Sequence, residues 1–251
     1  MDFKPIFGIV ACLLSTSSYA HNHEVELSAT NASYGIVKGS SPSTTYSELV
    51  MGPDVPVHNV LHVFDNQMKK HTINLDVEQF VFEGLAPFIA DLDGDNLNEV
   101  IVTETDKVKG ASLAVYGFKG GKLVKIAQNN FLGKRPQWLS KAGVADFDGD
   151  NINEIAVVEK PHGGNVFAVW KLNGNKLVEV ANLQGPTNHI EGTNFYQSKI
   201  RSCNGKMQVL MSDHDWFGIY SLELNNGGVI KEKVGNYTGP ESILGFNKSC
   251  K

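Results

Sequence analysis

The sequence predicts an all-β protein of many short strands, and three observations predict it. An acidic segment occurs twice, as DLDGDNLNEVIVTE at 91–104 and DFDGDNINEIAVVE at 146–159, sharing nine of fourteen residues 55 positions apart. Each copy is followed by two strand-like runs around a Gly-rich turn, ASLAVYGFKGGKLVKIAQ from Ala111 and NVFAVWKLNGNKLVEVAN from Asn165. Turn dipeptides recur through a chain with 25 glycines, and no long stretch has helical period.

A repeat of this length points to stacked or radially arranged units. Weaker copies flank the two clear ones. NVLHVFDNQMKKHTINLD from Asn59 and WFGIYSLELNNGGVIKEK from Trp216 have the same hairpin form. KIRSCNGKMQVLMSD from Lys199 stands where an acidic loop belongs but lacks its aspartates. The expected units are 30–82, 83–137, 138–192 and 193–250, each of about four strands. Four-stranded units repeating radially make a β-propeller. A linear β-solenoid is the alternative, but its repeats are usually shorter. The Val/Ile-rich runs EVIVTE and EIAVVE read as central strands covered on both faces. ESILGF, Glu241 to Phe246, is expected to add a closing strand to the first unit.

The N-terminus reads as an export signal. Lys4 precedes the apolar run PIFGIVACLL, and SYA at 18–20 places small residues before a cut after Ala20. A lipobox at IVAC ending in Cys12 is the competing reading. The mature chain is then 21–251, periplasmic or secreted, one propeller domain with no transmembrane segment. Cys203 and Cys250 remain as an even pair, expected as one disulfide. Net charge is −5 with no basic stripe, which argues against nucleic acid.

The acidic segments predict two Ca²⁺ sites. Asp91, Asp93 and Asp95 alternate so that their carboxylates converge. Gly94 permits the turn, and Glu99 returns from the next strand. The carbonyl of Leu97 would complete an oxygen shell. The twin set is Asp146, Asp148, Asp150 and Glu154, with the Ile152 carbonyl. An EF-hand has its Gly sixth, its Glu twelfth and helices on either side. Here the Gly is fourth, the acid ninth, and strands flank. Mg²⁺ keeps its waters and suits an all-protein cage poorly. The bland alternative is a solvated acidic turn.

These loops resemble the FG-GAP/VCBS repeats of integrin-α-like β-propellers, with their D-x-D-G-D-x-x-x-D/E pattern before a strand. FEGLAPFIADLDGD, VADFDGDNINEIAVVEKPH and TNHIEGTNF are similar to segments of small exported proteobacterial proteins of that kind, a set without an assigned task. The resemblance implies the propeller and the calcium and leaves the partner, a protein or a glycan, open.

Candidates for a ligand face are the polar and aromatic residues outside the strand pattern. They include Trp138, His162, His189, Glu191, Asp213, His214, Asp215 and Trp216, with Arg135, Tyr196 and Arg201 beside them. A His next to carboxylates can act as a base or metal ligand, although a lone loop His is more often a turn residue. Trp170 lies within VFAVWKL and is expected in the core. No HExxH, nucleophile elbow or phosphate loop occurs, so a binding module is the first expectation. An enzyme acting on a glycan or other envelope substrate is the second. Cleavage after Ala20 would also expose His21-Asn22-His23. A free amine, two amides and a third-position imidazole suit square-planar Cu(II) or Ni(II); otherwise this is a terminus whose histidines do nothing.

Overall fold

The computed structural model describes residues 26–36, 57–133, 137–247 and 250. The expected signal segment, His21, His23 and Arg135 lie outside them. The described residues fold into four antiparallel sheets taken up in sequence order. The first holds β1 (Ala29–Gly35), β2 (Val60–Asp65) and β3 (Lys70–Asn74). The second is β4 (Phe80–Ala90), β5 (Glu99–Asp106), β6 (Gly110–Lys119) and β7 (Lys122–Gln128). The third is β8 (Leu139–Ala145), β9 (Glu154–Glu159), β10 (Val166–Asn173) and β11 (Lys176–Gln184). In the fourth, β12 (Pro186–Thr187) and β13 (Lys199–Cys203) share one edge of β14 (Lys206–Asp213). β15 (Gly218–Asn225) and β16 (Gly228–Asn236) follow on its other side.

The second and third sheets are meanders, each strand leading through a short connection to its neighbour. The four sheets stack face to face as propeller blades do, each pair sharing a layer of core. Leu61, Val63, Val100 and Val102 fill the space between the first and second sheets. Ile101, Leu113, Val115, Ile155 and Val157 lie between the second and third. Val158, Phe167, Val169, Val209 and Met211 lie between the third and fourth. Successive residues of one strand therefore face different neighbouring sheets, as Val100 and Ile101 do. β5 is buried along its whole length, which explains why its sequence is continuous Val/Ile rather than alternating. In the second, third and fourth sheets the pairing of the last two strands carries a bulge at the same place, after Val115, Val169 and Ile219. A shared irregularity of this kind marks the units as true repeats.

The expected strand at Glu241–Phe246 does not form. Glu241–Leu244 is instead a one-turn helix, α1, packed on the fourth sheet. Pro240 opens it with helical φ and no N–H to offer a ladder. Ile243 is fully buried against Leu210 and Ile219, which stabilises this docking by roughly 2–3 kcal/mol. Lys199 Nζ donates to the carbonyls of Leu244 and Phe246 at 3.0 and 2.8 Å. The Cys203–Cys250 disulfide then ties the chain's end to β13 across 47 residues.

Candidate metal centres and an aromatic–imidazole cluster

The acidic loops join the first and second strands of the second and third sheets, between β4 and β5 and between β8 and β9. In both, the first aspartate organises the turn. Asp91 accepts the amides of Gly94 at 2.7 Å and Asn96 at 2.9 Å. Asp146 accepts those of Gly149 at 2.7 Å and Asn151 at 3.0 Å. Gly94 and Gly149 have φ of 81° and 85°, and Asn96 and Asn151 have 65° and 68°. The Gly-Asp-Asn sequence thus supplies the two residue types that adopt left-handed backbone at least cost. The glutamate closes each loop from below, Glu99 Oε2 accepting the Leu92 amide at 2.9 Å and Glu154 Oε2 the Phe147 amide at 2.8 Å.

Asp91, Asp93 and Glu99 bring carboxylate oxygens within 4.8 Å of one another, and so do Asp146, Asp148 and Glu154. Asp95 and Asp150 stand beside these triplets and accept the amides of Leu97 and Ile152. Each loop also clasps the preceding sheet. Asn98 Nδ2 donates to the Ala29 carbonyl at 3.1 Å, and Asn153 Nδ2 to the Asp91 carbonyl at 2.8 Å. Order in a loop is thereby coupled to the junction between sheets.

The two triplets differ electrostatically. Burial pushes the Glu99 carboxyl up to about 7; the Leu92 amide opposes this, and Asp93, Asp95 and Asp91 add to it. Burial and Asp95 likewise raise Asp93. At the second loop, Lys171 Nζ lies 3.1 Å from Asp148, 2.5 Å from Asp150 and 2.9 Å from Glu154 Oε1. The last contact is an ion pair off the hydrogen-bond angle, since Glu154 Oε1 has no hydrogen-bond partner among the described residues. Burial works against the Lys171 charge, but Asp150, Glu154 and Asp148 together hold its pKa above the ordinary lysine value. The Lys171 hydrogen bond keeps Asp150 below the usual carboxylate range. Burial raises Glu154 and Lys171 counters it. The sequence reading did not single out Lys171. A cavity of about 690 Å³ opens beside this second loop, with Asp146, Asp148, Asn153, Lys206 and Asn225 in its lining.

The fourth sheet has no such loop. β13 and β14 are joined by Asn204-Gly205, both at positive φ (52° and 80°), a tight hairpin turn in place of the acidic segment.

Part of the expected ligand face also assembles. Trp138 is buried, with only 3% of its surface exposed. His162 stacks on it at 5.8 Å and Tyr196 at 6.2 Å, and His189 meets it edge-on at 4.8 Å. His162 Nε2 and His189 Nδ1 are 2.7 Å apart, and His189 Nε2 is 2.9 Å from the Thr193 carbonyl. A carbonyl only accepts, so His189 carries its proton on Nε2. Its Nδ1 accepts from His162, which leaves the His162 Nδ1 lone pair unprotonated. Burial lowers His189 to about 4 and also lowers His162, against the nearby Glu191 carboxylate. His189 is therefore neutral at pH 7.

Asp213, His214, Asp215 and Trp216 do not join this cluster. Asp213 ends β14 and binds Lys231 at 2.5 Å, and His214, Asp215 and Trp216 lie in the turn to β15, where Trp216 packs on Tyr237 at 5.0 Å. Trp170 is half-buried and packs against the core, as expected. Arg201 donates to Gln208 and lies over the Phe246 ring. The sequence reading missed Lys141, which is fully buried in β8. Its ammonium donates to the Ala86 carbonyl and faces the Phe88 ring at 4.7 Å. No carboxylate pairs with it among the described residues, and burial lowers it to about 7.

The model of the FG-GAP-like repeat matches residues 91–157, which run from the first acidic loop to the strand after the second. Among solved structures, rhamnogalacturonan lyase YesW aligns at 14% identity and a TM-score of 0.43, over 85% of this chain and 51% of that one. Exotype rhamnogalacturonan lyase YesX aligns at 12% and 0.40, over 81% and 48%. The chain spans about half the length of each. No curated protein shows significant sequence similarity to it. The chain thus carries an FG-GAP-like repeat laid across the junction of two four-stranded blades of a β-propeller fold.

Proposed function

We propose that this protein is an exported, calcium-binding β-propeller that serves as a binding module, with the ion in a structural role. The observation that carries the reading is the pair of carboxylate triplets at the same position of adjacent sheets, each on a loop bonded to the preceding sheet. Hard oxygen donors at this density fit Ca²⁺, and the Leu97 and Ile152 carbonyls would add to the two shells. The ion would neutralise repelling carboxylates and so fix the loop and the inter-sheet clasp. Export is supported by the signal-like N-terminus and by the disulfide, a bond that persists in oxidising compartments. Among the described residues no helix is long and apolar enough to cross a membrane. The partner class is a protein or a glycan. The Cu(II) site at His21 and His23 remains a separate proposal, tested by a d–d band in the mature protein.

Thermal unfolding of mature 21–251 in EDTA and across a calcium titration tests the calcium reading. A native-state ligand adds RT ln(1 + [L]/Kd), about 2.7 kcal/mol at a hundredfold excess over Kd. A saturable rise in Tm with calcium but not magnesium is the expected result. An unchanged Tm would overturn it.

A second reading, an enzyme acting on a glycan or other cell-envelope substrate, is favoured by one observation. His162, packed against the buried Trp138 and His189, offers an unprotonated ring nitrogen. Incubation with glycan arrays and envelope fractions separates the two, because only an enzyme alters what it binds.

A further inference from the structure

We propose that Lys171 is a tethered cation that takes the place of the metal in the second acidic loop, so that the two loops are unequal and the first is the tight calcium site. The proposal rests on the calcium reading above and concerns how that binding is divided.

The two units are otherwise near copies, which makes their one large difference informative. Val100 pairs with Tyr116 across β5 and β6, and Ile155 pairs with Trp170 across β9 and β10. The next residues in the third strands, Gly117 and Lys171, therefore occupy equivalent positions. A Cβ placed on Gly117 would lie 3.6 Å from Glu99 Cγ, so this position looks onto the closing glutamate of its loop. In the second unit the same position sends an ammonium among Asp148, Asp150 and Glu154. In the first unit there is no side chain, and no lysine or arginine pairs with Asp91, Asp93, Asp95 or Glu99 among the described residues.

An ammonium seated among these carboxylates competes with a calcium ion for them, since the two cations repel and draw on the same oxygens. Calcium entering the second loop must break three ion contacts and return Lys171 to water. Calcium entering the first loop displaces no cation. The chain thus spends its own charge to hold one blade junction together without metal and leaves the other dependent on it.

The test is calorimetric titration of the full mature chain, stripped of metal, with CaCl₂ at physiological ionic strength, and with MgCl₂ as control. Wild type should show one tight event and a second at least tenfold weaker. Lys171→Met should raise the weak affinity at least tenfold and bring the two together. It should also lower the Tm in EDTA and restore it in calcium. Asp91→Asn should abolish the tight event and leave the weak one, a result that does not require the Lys171 variant to fold. Two equal sites in wild type, or affinities unmoved by Lys171→Met or Lys171→Gln, overturn the inference and leave the calcium reading standing. Calcium bound by neither wild type nor variants overturns the calcium reading, and the inference falls with it.

Discussion

Glu99→Gln should stabilise the metal-free protein at pH 8 and remove the benefit of calcium at the first loop. Glu99 is only 6% exposed, and its folded pKa of about 7 exceeds the ordinary 4.5. The folded state therefore binds the proton more tightly than the unfolded chain. The penalty for ionising Glu99 is absent below about 4.5, grows as pH rises towards 7, and is constant above it. A displacement of this size, at 1.36 kcal/mol per pH unit, amounts to about 2–3 kcal/mol once some water contact is allowed. The glutamine carbonyl can still accept the Leu92 amide, so that bond survives. For a chain of this size the gain in Tm at pH 8 in EDTA should be about 5–10 °C, vanishing near pH 4. Calcium should reverse the order, raising wild type above the variant. His58, His62, His162 and His189 are lowered by burial and drive wild-type stability the opposite way near pH 6.5. The measured quantity is therefore the difference between wild type and variant, in which those terms cancel. A difference that does not change between pH 4.5 and 7, or a variant less stable than wild type at pH 8 in EDTA, would refute the reasoning.

Three further outcomes are expected. Lys141→Met should raise stability at pH 6 by about 1–3 kcal/mol, because a buried ammonium without a carboxylate is replaced by an apolar chain of similar length. Wild type should gain stability as pH climbs from about 7 towards 10.5, so the variant's advantage shrinks there; a lower Tm at pH 6 contradicts this. Gly84→Ala should cost about 1–3 kcal/mol in urea unfolding, since φ is +99° and the new methyl would lie 2.6 Å from Tyr196 Oη. Adding Tyr196→Phe should recover part of that loss. Replacing both Cys203 and Cys250 with serine should lower stability by up to about 4 kcal/mol for a 47-residue loop, and the variant's Tm should no longer respond to reductant.

Much of the molecule was legible because its signals are local. Aspartates at every second position around a glycine make a converging turn whatever surrounds them. Continuous Val/Ile after each loop required a strand covered on both faces, and β5 and β9 are such strands. The Cys203–Cys250 pairing followed from setting Cys12 apart with the expected signal segment, which left two cysteines. ESILGF was misread because its pattern suits a strand as well as a helical turn. Pro240 and the apolar surface of Leu210 and Ile219 decided for the helix, and that surface lies about thirty residues upstream in the chain. Lys141 gave no warning either, since a lysine in a strand is ordinarily solvated.

The sequence by itself determined the repeat, the strand period and the carboxylate sets, because each is a matter of residue spacing within a short segment. Only the tertiary structure decided which charges meet. It seated Lys171 in one acidic loop and left the other with a glycine in its place. It gathered Trp138, His162, His189 and Tyr196 from separate segments, and it sent the C-terminus to the fourth sheet. These contacts join residues far apart in the chain, and their energies depend on distance and burial, which the linear order does not contain.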